Sequence, residues 1–165
     1  MAKYALIGTF MVVLTIIIHI VGTIVLARLI ERRYVDRNGL FPPKKTLWIL
    51  LGTALALMVL HTTEIILWAS AYWLLLSTGE LGTFEEAVYF SFITFTTLGY
   101  GDITLTEGWR LLSGIEAMNG IMLAGWTTAM LFALVQRIWQ SIPHKKPEHD
   151  GSSRRNDREH QRIPD

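Results

Sequence analysis

Cysteine is absent from the 165 residues, which excludes disulfides, thiolate metal sites and thiol nucleophiles. A net-charge bias is missing too. Fifteen Lys and Arg stand against 14 Asp and Glu, a balance of +1, so overall charge argues neither for nor against a nucleic-acid partner, and none is expected. Charge is also missing locally. Residues 4–27 hold no Asp, Glu, Lys or Arg, residues 46–79 only Glu64, and residues 111–136 only Glu116. Each run exceeds the roughly 20 apolar residues that cross a bilayer as a helix. None carries the polar stripe at a 3.6-residue period that a soluble amphipathic helix needs. The reading is an all-α integral membrane protein with three transmembrane helices. The first run is too long for a signal-peptide core, and no small-x-small site precedes Arg28, so 1–30 is expected to stay as a permanent helix. No span repeats arginine at every third position, which argues against a voltage sensor. No Gly-rich dinucleotide unit follows the last span, so no large ligand-sensing domain of that kind is expected. His61-Thr-Thr-Glu64 lacks the His-Glu-x-x-His spacing of a zinc protease, so no enzyme and no organic cofactor are expected.

Basic residues gather in two places: Arg28, Arg32, Arg33, Arg37, Lys44 and Lys45 after the first span, and Lys145, Lys146, Arg154, Arg155, Arg158 and Arg162 in the tail. The positive-inside rule puts both in the cytoplasm and the N-terminus outside. The connection between spans two and three is then external and acidic, with Glu80, Glu85, Glu86, Asp102 and Glu107 against Arg110 alone, a surface that gathers cations. Trp48 and Trp139 fall at cytoplasmic span ends, and Tyr72, Trp73 and Trp109 at outer ones, as interfacial aromatics do. The basic link 31–45 turns through Asn38-Gly39 and Pro42-Pro43 and is suited to anionic lipid. Residues 141–165 are polar and mixed in charge, a composition expected to be disordered in isolation.

The outer connection is unusual. Thr83 and Glu86 have capping-box spacing, and the residues from Ala87 to about Phe95 are apolar but too few to span, as in a re-entrant half-helix. Backbone that follows such a helix at membrane depth must be buried in protein or line a watery cavity. Here it reads Thr96-Thr97-Leu98-Gly99-Tyr100-Gly101-Asp102.

That segment, behind a short helix and between two spans, resembles the signature of the potassium-channel pore-module family, of the bacterial two-helix type. The resemblance implies an ion-selectivity filter in which the carbonyls of Thr97, Leu98, Gly99 and Tyr100 hold potassium ions, with Gly101 completing the motif. The Thr97 hydroxyl would close the innermost site and the Tyr100 ring would brace the filter, with Thr96, Asp102 and Glu86 as supports. Successive carbonyls reach one axis only with unusual dihedrals at alternate positions, which glycine adopts at low cost. The family most often has Val or Ile where this chain has Leu98. Gly120-Ile121, Gly125 and Thr128-Ala129 are similar to the family's inner helix, which makes Gly120 and Gly125 candidate gate hinges, although small residues also let membrane helices pack closely. One filter segment per chain implies three further copies around a fourfold axis, since a head-to-tail interface must close into a ring.

The implied organisation is an extra helix at 1–30, the link 31–45, a pore module at 46–140 and the tail. The module divides into an outer helix 46–78, a pore helix 84–95, a filter 96–102 and an inner helix 110–140. The implied function is passive potassium conduction by a homotetramer in a bacterial inner (plasma) membrane. Left as alternatives are a weakly selective monovalent cation channel and a non-conducting scaffold or sensor. Ionisable groups at membrane depth are functional candidates, and there are four: His19, His61, Glu64 and Glu116. His61 and Glu64, three apart, share a helix face, and His19 reaches a similar depth as a second partner for Glu64. They form either a pH-sensitive gate or a hydrogen-bonded group that docks one span on another. Glu116, followed by Asn119, either supports the pore helix or rings a cavity.

Overall fold

The computed structural model describes residues 2–36, 39–75, 81–106 and 108–141. The tail 142–165, and with it most of the segment expected to be disordered, lies outside the described residues. Four α-helices and one short turn of 3-10 helix run in the order α1 Ala2–Tyr34, the 3-10 turn Pro43–Lys45, α2 Thr46–Leu75, α3 Phe84–Phe95 and α4 Gly108–Gln140. Among the described residues no strand occurs. α1, α2 and α4 are each long and apolar enough to cross a membrane. α3 is not: its 12 residues rise about 18 Å, against about 30 Å of hydrocarbon.

Two helix limits differ from expectation. α1 runs to Tyr34, past position 30, because the basic stretch after the apolar run continues the helix and Glu31 meets Arg137 of α4 at 2.6 Å. Both partners are half exposed, so this pair adds little stability. α4 starts two residues before 110, its first turn taken up from Thr106, whose carbonyl accepts from the Trp109 amide at 3.2 Å.

Pairwise contacts define the bundle. The Tyr4 ring of α1 meets Trp109 of α4 edge-on with centroids 5.0 Å apart, and at the opposite end Glu31 meets Arg137. The N-terminus therefore shares a side with the connection that carries α3, and the 31–45 link lies at the other end. α3 packs against α2 and α4, within a core of Trp68, Tyr72, Phe90, Phe95, Leu112 and Leu123. A second cluster of Ile30, Phe41, Ile49, Leu134 and Ile138 closes the far end.

Tyr72 departs from its expected interfacial place. Its ring is fully buried, 5.3 Å from Phe90, because α3 folds back over the face of α2 that carries it. Trp48, Trp73 and Trp139 are exposed, as interfacial residues should be. α1 turns a short polar stripe inward: Thr15, His19 and Thr23, spaced by four, are all buried, while Leu6, Phe10, Val13, Ile17 and Val21 face outward.

Candidate functional site

α3 begins and ends with side-chain caps. Thr83 accepts the Glu86 amide at 3.2 Å, and the Glu86 carboxylate reaches back to the Gly82 amide at 2.7 Å, one residue further than a reciprocal capping box reaches. Glu86 thus holds the start of α3, at the end remote from 96–102, and does not support the candidate filter directly. At the other end Thr96 caps the helix, with its hydroxyl on the Phe92 carbonyl at 2.6 Å. The Thr97 amide donates to the Thr94 carbonyl at 2.9 Å and the Gly99 amide to the Ile93 carbonyl at 3.0 Å. The candidate filter is therefore stitched to the last turn of α3 by its own backbone.

Beyond that turn the backbone alternates. Thr97, Gly99 and Gly101 have φ of 60°, 52° and 80°, while Leu98 and Tyr100 are not left-handed. Every second residue is in the left-handed region, where glycine belongs and threonine sits at a steric cost. The glycines were legible from the sequence pattern; the strained Thr97 was not. Leu98 and Tyr100 are 55% and 68% exposed. A cleft of about 510 Å³ runs beside the segment, with Thr97, Gly99, Gly101, Ile103, Ser113 and Ala117 among its walls.

The segment returns to α4 through two anchors. The Tyr89 hydroxyl donates to Asp102 Oδ2 at 2.6 Å, tying the end of the segment to α3. This hydrogen bond holds the Asp102 carboxyl below its usual range and raises the Tyr89 phenol. Arg110 Nε donates to the Leu105 carbonyl at 2.8 Å. Sequence reasoning passed over Tyr89; its signal was a hydroxyl-bearing aromatic within the short helix that leads into the segment.

Gly120 lies where α4 crosses the end of α3. A Cβ there would stand 2.0 Å from the Phe95 carbonyl oxygen, whereas nothing lies within 4 Å of one at Gly125. Close approach thus requires the glycine at 120, independently of any hinge. Glu116 and Asn119 are both buried. Glu116 sits among Tyr72 of α2 and Ser91 of α3, with no direct hydrogen bond formed, which places it behind α3. Asn119 Nδ2 donates to Thr15 Oγ1 at 2.8 Å and joins α4 to α1. Both were cavity candidates only because the rotation of α4 about its axis is not written in its composition.

His19, His61 and Glu64 do come together. His19 Nδ1 lies 2.9 Å from Glu64 Oε1, and His61 Nδ1 lies 3.1 Å from Oε2. Thr127 of α4 joins them, its hydroxyl 2.8 Å from His61 Nε2 and 3.5 Å from His19 Nε2. The group docks α1, α2 and α4 on one another at mid-membrane depth. Trp126 packs its ring edge-on to His19 at 6.0 Å and is half exposed.

Among known proteins, neither the curated sequences nor the solved structures compared with the chain give a match. A family model described as ion channel matches residues 60–137, which takes in the second half of α2, all of α3, the 96–102 segment and most of α4. α1 lies outside it. Residues 60–137 are thus similar to an ion-channel family, within an integral membrane protein of three apolar spans.

Proposed function

We propose that four copies of this chain assemble into a potassium channel, with 97–101 from each forming one wall of the selectivity filter. The observation that carries this reading is the alternation of left-handed backbone at Thr97, Gly99 and Gly101. It directly follows a half-helix too short to span. A strand that alternates in this way directs successive carbonyls toward one line, and four such strands replace the water shell of a dehydrated cation. Thr97, Leu98, Gly99 and Tyr100 supply the carbonyls. Thr97, which follows the cap of α3, supplies its hydroxyl at the inner end of the array. Asp102, anchored by Tyr89, closes the outer end.

The distribution of Lys and Arg favours a cytoplasmic 31–45 link and an external N-terminus, with a bacterial inner membrane as the setting that the resemblance implies. The basic link meets anionic lipid there.

Potassium flux into proteoliposomes tests the proposal. Wild-type protein carries potassium under a potassium gradient and little sodium, and Gly99→Ala abolishes the flux while the oligomer remains. Equal sodium and potassium permeability would assign a weakly selective cation channel, traceable to Leu98. An intact tetramer with no flux of either ion would assign a scaffold or sensor.

A further inference from the structure

We infer that His19, His61 and Glu64 form an intramembrane transition-metal site that takes one zinc-class divalent ion between α1 and α2. The inference is independent of ion conduction. One donor atom from each of the three residues lies within 4.8 Å of the other two. Two imidazoles and a carboxylate are a ligand set that zinc uses, with bonds of about 2.0–2.2 Å and a fourth position left for water. Donors in a tetrahedral shell of that size stand about 3.3 Å apart, so side-chain adjustment alone closes the site. Calcium and magnesium demand six or more oxygens, which this group cannot supply.

The far side of the cluster carries the argument further. Each histidine turns Nδ1 to Glu64 and Nε2 to the same hydroxyl, Thr127 Oγ1. In a neutral ring one nitrogen donates and the other accepts. If both Nδ1–H groups donate to the carboxylate, both Nε2 atoms need a donor, and Thr127 has one hydroxyl proton to share between them. With a metal on the two Nδ1 lone pairs, both Nε2 atoms carry hydrogen, and the two lone pairs of Thr127 accept them. That outer contact is the one metal-bound histidines regularly make. A bound cation thus leaves no polar atom of the cluster unpaired, as a single imidazolium beside Glu64 also would, and the metal reading rests on the donor set and its spacing. His19 and Glu64 are fully buried and His61 keeps 20% of its side chain exposed, so His61 marks the open approach. The ligands come from α1 and α2 and their outer partner from α4. Metal binding thus fastens the first span to the pore module one ring away from Phe95, whose centroid is 6.0 Å from that of His61.

The test is zinc titration of chelator-stripped, full-length protein in nanodiscs, by competition with a chromophoric chelator. Wild type is expected to bind one zinc per chain tightly, and Co2+ in its place should show the visible absorption of a four-coordinate site. His19→Gln and His61→Gln keep a polar partner for Glu64 and should abolish the stoichiometric site. Thr127→Val should weaken it roughly 10- to 100-fold. A variant with His144, His149 and His160 all changed to alanine should bind as wild type does. No stoichiometric zinc binding by the folded wild type overturns the proposal. So does binding that survives both His19→Gln and His61→Gln and disappears with the three tail histidines. Potassium flux plays no part in these readouts, so failure here is distinct from failure of the conduction reading.

Discussion

At the scale of single residues, Gly120 and Tyr89 have the most specific roles. A methyl at 120 would collide with the Phe95 carbonyl oxygen 2.0 Å away, and that carbonyl belongs to the backbone, so it cannot swing aside. Gly120→Ala is expected to lower unfolding stability by about 1–3 kcal/mol, the usual cost of overpacking. Gly125→Ala, in open space, should change it by less than about 0.5 kcal/mol. Denaturant melts in one detergent compare the two, and equal effects would remove the contact as the reason for glycine at 120. The Tyr89–Asp102 bond has its own signature in pH. Its carboxyl is held below the ordinary 3.8 by the Tyr89 hydroxyl, and the phenol is raised above its ordinary 10.0 by Asp102. A depressed acid contributes above its unfolded value and loses that contribution as pH falls through its folded one. A raised phenol contributes below its unfolded value and loses that contribution as pH rises through its folded one. The bond therefore acts fully between about pH 4 and 10. Tyr89→Phe should return Asp102 toward 3.8, read from the carboxyl carbon shift in an NMR titration.

At the scale of elements, α3 depends on its caps, because a 12-residue helix is too short to be stable through propensity alone. Thr83→Ala removes the acceptor for the Glu86 amide and should cost about 0.5–2 kcal/mol. Thr83→Ser should cost much less, and a melt of the two variants separates them. This start signal could be read from Thr83 and Glu86, and the left-handed glycines from the motif. The three spans could be read from where charge is missing, and the meeting of His19, His61 and Glu64 from depth and a three-residue spacing. The rotations of α1, α2 and α4 could not. When apolar residues run all round a helix, no hydrophobic stripe tells which face turns inward. For that reason Glu116 behind α3 stood as one of two readings, and Asn119 on Thr15 and Thr127 on the two histidines were hidden. A partial clue existed in α1, where Thr15, His19 and Thr23 recur every four residues and all are buried. In a membrane helix a polar stripe of that kind marks the protein-facing side, the reverse of the rule for soluble helices.

At the scale of the whole molecule, the proposed filter is exposed in the single chain although it is the part that would suffer most from exposure. Leu98 is 55% and Tyr100 68% exposed in the single chain, beside a cleft of about 510 Å³. Backbone hydrogen bonds tie the segment to α3 from Thr96, Thr97 and Gly99. Irregular backbone at membrane depth persists when it is buried in protein or lines water, and neighbouring copies can provide both, with the axis on one side and the adjacent subunit on the other. An aromatic ring of this size, buried at an interface with its hydroxyl paired, dominates local binding energy. The Tyr100 ring should therefore hold the assembly together as well as brace the filter. Tyr100→Ala is expected to shift the protein from tetramer toward monomer in native mass spectrometry. Far-UV circular dichroism should change little, because the substitution lies outside every helix. Tyr100→Phe keeps the ring and loses only the hydroxyl, so it should remain largely tetrameric. If Tyr100→Ala stayed as tetrameric as wild type, the ring would contribute nothing to assembly, and the subunit contacts would have to lie on the outward faces of α2 and α4.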